Sequence, residues 1–214
     1  LDWEFELLGH EKGWNVLTRL QRGLSMVELM VGVAIIAILA MIGAPNMLQW
    51  MQNAQVRGAA ESIQNGLQLA RAEAVRRNTQ VRFQLTSSAD SGCAVAGDGT
   101  ATAANWVISI DDPSGNCGAN PSDDTAPRII QTKPATEGTA NVQVIADQAT
   151  LIFNATGRLT PVPAAAIDID ISNPLGGACI HSGGTTRCLR IVVTQGGQAR
   201  MCDPLRSSTD PMGC

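Results

Sequence analysis

The sequence has no tyrosine, only three phenylalanines and four tryptophans. So few rings exclude a stacking platform for single-stranded nucleic acid, which needs successive aromatic faces along a groove. Positive charge is not in excess either: 15 Lys and Arg stand against 19 Asp and Glu, a formal net charge of −4. No strong field therefore draws the chain as a whole to DNA or to an acidic membrane surface. Histidine is scarce, with only His10 and His181. The sequence lacks Gly-x-Ser-x-Gly, His-Glu-x-x-His and a phosphate-cradling glycine loop. We expect no enzyme and no cofactor.

The six cysteines, at 93, 117, 179, 188, 202 and 214, form no C-x-x-C pair. Zinc needs four closely spaced thiolate or imidazole ligands, and the two histidines do not supply them, so no metal is expected. The pairs Asp111/Asp112 and Asp123/Asp124 sit among Gly, Asn and Pro and read as turn formers.

An even number of cysteines, all after the apolar segment described next, indicates disulfides formed in an oxidising compartment. Six cysteines allow many connectivities; proximity in sequence favours Cys93–Cys117, Cys179–Cys188 and Cys202–Cys214. A two-residue turn at Gly196-Gly197 places Cys202 opposite Ile191 and Cys188 opposite Leu205. That register keeps Cys188 and Cys202 from bridging each other across the hairpin.

Charge and hydropathy divide the chain unevenly. Asp2, Glu4, Glu6 and Glu11 come first, followed by Lys12, Arg19 and Arg22. Then sixteen residues, Leu29 to Ala44, carry no charge. The stretch from Leu24 to Leu48 has the length that spans a bilayer, ~20 residues for ~30 Å of hydrocarbon. Bases on its N-terminal side predict a cytoplasmic N-terminus, with the remainder outside the inner membrane.

A cleaved secretory signal has a shorter apolar core and a small-residue cut site on its far side, which this run lacks. A plain signal anchor gives no reason for Glu28, since a carboxylate at the edge of an apolar span costs on the order of a few kcal/mol unless paired.

Pro45 closes the run and predicts a kink or local melting of a helix. Beyond it, Val56, Ala60, Ile63, Leu67, Ala70 and Ala74 recur at helical spacing, with Gln, Arg and Glu on the other face. The pattern predicts a nearly continuous helix from Ser25 to Arg77, bent near Pro45, its second half packed on a globular domain.

After Asn78 the pattern turns to β. Short runs at 81–85, 106–110, 142–145, 150–154, 167–171 and 189–194 are separated by Gly, Pro, Asn and Asp. IDIDI at 167–171 alternates strictly, so one face is buried and the other wet. LRIVVT, QGGQ and ARMC predict a hairpin at 189–202. The stretches 86–104 and 111–128 predict long surface loops. The fold class is therefore α+β: a long, kinked N-terminal helix, transmembrane in its first half, on a small antiparallel β-sheet domain.

The segment RGLSMVELMVGVAIIAILAMIGAP resembles the cleavage and anchor signal of type IV prepilins. In that family a dedicated aspartic peptidase cuts after a Gly on the cytoplasmic side and methylates the new N-terminus. Gly23 matches the cleavage Gly, Leu24 the first mature and methylated residue, and Glu28 the acid at the fifth mature position. Pro45 matches a helix-bending Pro. The resemblance implies a leader at 1–23, a transmembrane and filament-core segment at 24–48, an amphipathic helix at 49–79 and a periplasmic β-rich domain at 80–214. Glu28 would pair with the N-terminal amine of Leu24, on its own or an adjacent subunit, and Glu28 and Pro45 would serve assembly.

Further along, LQLARAEAVRRNTQVRFQL, TLIFNATGRLTP and RIVVTQGGQARMC are similar to the GspH/FimT family of minor pilins and pseudopilins, whose helix packs on a β-domain of commonly two sheets. This implies a structural subunit at or near the tip of an envelope filament. Its partners would be other pilins or pseudopilins, the prepilin peptidase, an inner-membrane assembly platform and inner-membrane lipid.

Family members serve type II secretion, type IV pili or DNA uptake, and the resemblance leaves the three open. DNA-uptake members carry Gly-Arg-x-Arg at the final hairpin; here the residues are Gly197-Gln198-Ala199-Arg200. Arg187, Arg190, Arg200 and Arg206 are the candidate phosphate contacts. Against them, the chain beyond Gly23 keeps 15 acids and 12 bases, which disfavours nucleic acid as a partner.

Overall fold

The computed structural model describes residues 25–214; the expected cut between Gly23 and Leu24 lies outside the described residues. The chain divides into two units after Gly43. Helix α1 (Met26–Arg77) begins in the first and ends in the second, and it is unbroken through Pro45. Its C-terminus closes as the sequence change at Asn78 predicts. Asn78 takes a left-handed φ of 51°, Asn78 N–H donates to Val75 O, and Thr79 N–H donates to Ala74 O. This double closure satisfies carbonyls that the last turn leaves free.

Nine strands follow: β1 (Val81–Thr86), β2 (Ala101–Ala103), β3 (Asn105–Ser109), β4 (Ile129–Lys133), β5 (Gln143–Ala146), β6 (Thr150–Phe153), β7 (Ile167–Ser172), β8 (Leu189–Val193) and β9 (Ala199–Cys202). They form two antiparallel sheets, in the orders β4-β3-β1-β6 and β2-β5-β7-β8-β9. All six residues of the expected helical stripe are buried, joined by Ala59. They share one core with Val81, Phe83 and Leu85 of the first sheet and Ile169, Ile171 and Ile191 of the second. IDIDI behaves as its alternation predicts: its isoleucines are buried and its aspartates half-buried.

Gly66 shows why a glycine is kept inside a helix, where it costs ~1 kcal/mol relative to Ala. A Cβ there would lie 2.9 Å from Phe83 Cε2 and 3.2 Å from Trp106 Cζ2. The bare backbone lets the helix settle onto this aromatic pair, whose ring centroids are 5.7 Å apart. Polar side chains at the flanks of the stripe fasten the helix: Trp106 Nε1 donates to Ser62 Oγ at 3.1 Å, Asn173 Nδ2 to Gln55 Oε1 at 3.0 Å, and Arg187 N to Asn53 Oδ1 at 3.1 Å.

The structure corrects three sequence expectations. The stretch 86–104 contains β2, an Ala-Thr-Ala edge strand too short and too small to show a hydrophobic period. β4 was also unforeseen; its pattern has one buried residue, Ile129, followed by partly exposed residues and an exposed Gln131, as an edge strand allows.

The two long loops do more than skirt the surface. Cys93 and Cys117 join them, and with Val107 and Ile129 they make a second small core.

The hairpin register is the third correction. Cys202 pairs with Arg190, and Ile191 with Met201, one residue off the expected alignment. The loop has three residues, not two. Thr194 N–H donates to Gln198 O, Gly197 N–H donates to Thr194 O, and Gly197 carries a φ of 77°. This is the three-residue hairpin with a left-handed glycine. A one-residue slip would turn every side chain to the other face. The observed pairing sets Arg200 opposite Val192, where the expected one would have set it against buried Val193.

The cysteine pairings themselves are as expected: Cys93–Cys117, Cys179–Cys188 and Cys202–Cys214. Closing loops of 24, 9 and 12 residues contributes about 2.5–3.5 kcal/mol each by restricting the unfolded chain.

Candidate functional site

Gly23 and Leu24 lie outside the described residues. Glu28 is in the first turn of α1, where the positive end of the helix dipole favours an acid. Its turn is closed by Leu29 N–H donating to Ser25 O at 3.1 Å. Around it the helix is apolar on every side and uncovered: Met26 is 85% exposed and Met30 70%, and Val27, Leu29, Ile36 and Leu39 are exposed as well. A helix that is hydrophobic all round calls for an apolar environment or a partner. Among the described residues, no helix is long and apolar enough to cross a membrane. The anchor reading therefore rests on the sequence from Leu24 to Leu48.

The four candidate arginines are not a free cluster. Arg190 is held between two carboxylates, with Nη1 2.7 Å from Asp168 Oδ2 and Nε 2.7 Å from Asp170 Oδ1. The hydrogen bond to Asp170 raises its already high pKa further. Arg187 donates twice to buried Asp203, at 2.7 and 3.0 Å. Arg206 pairs with Asp210 at 2.9 Å and stands 3.8 Å from Asp203. Arg200 donates through Nη1 to Gly213 O at 3.2 Å. The structure thus brings Arg187 and Arg206 together on Asp203, whereas Arg190 has its own carboxylates and Arg200 its own carbonyl.

The two aspartate pairs divide in role. Asp112 caps a turn at Ser114, and the Ser114 hydroxyl and backbone bonds lower its pKa. Asp123 pairs with Arg77 at the end of α1. Asp111 is a clamp: it accepts from Arg128 Nε at 2.8 Å, Nη2 at 2.7 Å and the backbone N at 3.1 Å. These bonds, the side-chain ones first, lower its pKa from 3.8 to about 2. A carboxylate depressed by folding stabilises the native state above its unfolded pKa, and that contribution is lost as pH falls through the folded value. In an Asp111→Asn variant we expect the melting-temperature deficit against the parent to shrink as pH is lowered from 3.8 to about 2. Thermal melts across that window check it. Among the described residues no group of three or more His, Cys, Asp or Glu could hold a metal ion.

Comparison with known proteins gives these features a family. The sequence model of Type II transport protein GspH matches residues 59–197. The chain belongs to the GspH family. A second model, the prokaryotic N-terminal methylation motif, matches residues 18–44, which include Gly23, Leu24 and Glu28. GspH-family proteins are structural pilins and pseudopilins, not enzymes, and they associate with other pilins or pseudopilins in a filament.

Three solved structures show looser likeness. The type IV minor pilin FimU of Pseudomonas aeruginosa is 19% identical, with 77% of this chain and 98% of that one covered and a TM-score of 0.47. The minor pseudopilin EpsH from the type 2 secretion system of Vibrio cholerae is 12% identical, covering 71% and 99%, with a TM-score of 0.42. E. coli GspH is 14% identical, covering 74% and 94%, with a TM-score of 0.38. Membership in the family rests on the sequence model. No curated protein matches the chain.

Proposed function

We propose that this GspH-family chain is a prepilin cut after Gly23, methylated at Leu24, and assembled as a minor subunit at or near the tip of an envelope filament. The observation that carries the proposal is the register of Gly23, Leu24, Glu28 and Pro45 around a sixteen-residue apolar run; the methylation-motif match over residues 18–44 supports it. Residues 24–48 hold the chain in inner-membrane lipid with the N-terminus cytoplasmic, and the domain from residue 80 onward is periplasmic. A cut on the cytoplasmic side leaves the apolar helix attached, so it serves first as an anchor and then as the filament's inner strand. Pro45, which removes one backbone donor, permits local unwinding as subunits leave the bilayer. The prepilin peptidase and an inner-membrane assembly platform are the further partners.

An in-frame deletion tests this when scored in parallel for surface pili with twitching and for release of secreted hydrolases. Loss of pili with secretion intact assigns the subunit to a type IV pilus. Loss of secretion with pili intact assigns it to a type II pseudopilus. Intact pili and secretion with a loss of transformation alone would transfer the role to DNA uptake through the C-terminal hairpin.

A further inference from the structure

A groove of about 500 Å³ runs between the start of the buried part of α1 and the β8–β9 edge. Its apolar lining is Trp50 and Ala54 from the helix, Leu189 and Met201 from the strands, and Met212 from the C-terminal loop. Trp50 is 71% exposed and Met212 48%. Exposing a tryptophan so fully costs much of the gain from burying its large surface, and Met47, Leu48 and Met51 beside it are exposed too. Arg57, Arg187 and Arg206 also line the groove, against a single lining carboxylate, Asp203. Asp203 is buried and already taken by Arg187 and Arg206, so two guanidiniums share one charge. Arg57 and Arg206 also reach Glu61 and Asp210 at the periphery, but exposed pairs of this kind are worth ~0–1 kcal/mol and leave the arginines open to a stronger anion.

We propose that this groove docks the domain on the outer leaflet of the inner membrane, the apolar lining taking acyl chain and the arginines the phosphate of an anionic phospholipid. The inference rests on the anchor reading above. Trp50 follows Ala44, the end of the apolar run, by six residues, about 9 Å along a helix. With that run in the hydrocarbon, Trp50 falls at headgroup depth, where tryptophan collects because its ring is apolar and its N–H is polar. Arg57 lies seven residues further on, about 10 Å along the helix, and basic residues near a membrane surface are drawn to anionic headgroups. The shape serves a subunit waiting in the membrane, since the groove holds the domain down until assembly lifts it away.

The test uses the processed chain in vesicles of phosphatidylcholine with a minor fraction of phosphatidylglycerol, with bromine carried on one lipid or the other as a short-range quencher. Cleavage after Gly23 removes Trp3 and Trp14, leaving Trp50 and buried Trp106. A Trp50→Phe, Met212→Trp variant moves the reporter to the wall of the groove formed by the C-terminal loop, far in sequence from the anchor. We expect brominated phosphatidylglycerol to quench the residue-212 reporter more than brominated phosphatidylcholine does. Adding Arg57→Gln and Arg206→Gln should lower that preference by about fivefold per guanidinium removed. Arg187 is left in place so that Asp203 keeps its partner.

No quenching of the residue-212 reporter in chains that float with the vesicles overturns the proposal while leaving the anchor intact. Chains that do not float overturn both. Equal quenching by the two lipids overturns the anionic assignment. A reporter that is shielded only when chains are crowded gives the groove to a neighbouring subunit.

Discussion

Phe83→Ala should destabilise the β-domain by about 3–5 kcal/mol, the range for removing a large aromatic from a core that cannot collapse around the gap. Phe83 is fully buried, and its ring stacks at a tilt on Trp106. The opposing helix offers no side chain to fill the space, because Phe83 lies against Gly66. The neighbouring strands are equally fixed, since β1 is paired on both sides, with β3 and with β6. Relaxation would have to break a ladder, so the cavity stays open. With domain stabilities of ~5–15 kcal/mol, the variant loses a large share of the total. The check is urea unfolding followed by Trp106 fluorescence. A midpoint shift equivalent to less than about 1 kcal/mol would show that the helix and the first sheet do not share one core.

Gly23→Leu should abolish processing, leaving the leader on the chain, as intact-mass measurement of membrane extracts will show. The effect is expected to reach beyond the leader. Uncut, Leu24 contributes a peptide N–H and no ammonium, so under the proposed pairing Glu28 would lose the cation that offsets its burial among the apolar segments of a filament. Breaking such a pair costs about 3–5 kcal/mol, on the order of a hundred- to several-thousandfold in incorporation. Glu28→Gln separates the two steps: it should be cut and methylated normally yet enter filaments poorly. Normal incorporation of that variant would falsify the amine–carboxylate pairing and leave the cleavage assignment standing.

Local chemistry wrote much of this protein legibly. The apolar run, the acid just before it and the proline just after it depend on neighbours a few positions away. So does the 3-4 spacing of Val56, Ala60, Ile63, Leu67, Ala70 and Ala74, all of them buried. The strict alternation of IDIDI needs only the pleat of a strand to be read. Even the disulfide pairing was accessible, because each cysteine bonds to a near neighbour in the chain.

What required the tertiary structure were features whose cause lies on another element. β2 and β4 are sheet edges, where half the residues meet water and the hydrophobic period fades. The hairpin register turned on whether a Gly-Gly loop closes over two residues or three, a choice made by which side chains the second sheet can bury. The candidate arginines looked like one cluster in sequence, but aspartates on β7 and in the C-terminal loop separate them into different pairs. Short-range patterns establish that a helix or strand exists and which face it buries. Charge partners, edges and grooves are settled by distant residues meeting, and one-dimensional spacing carries no record of that.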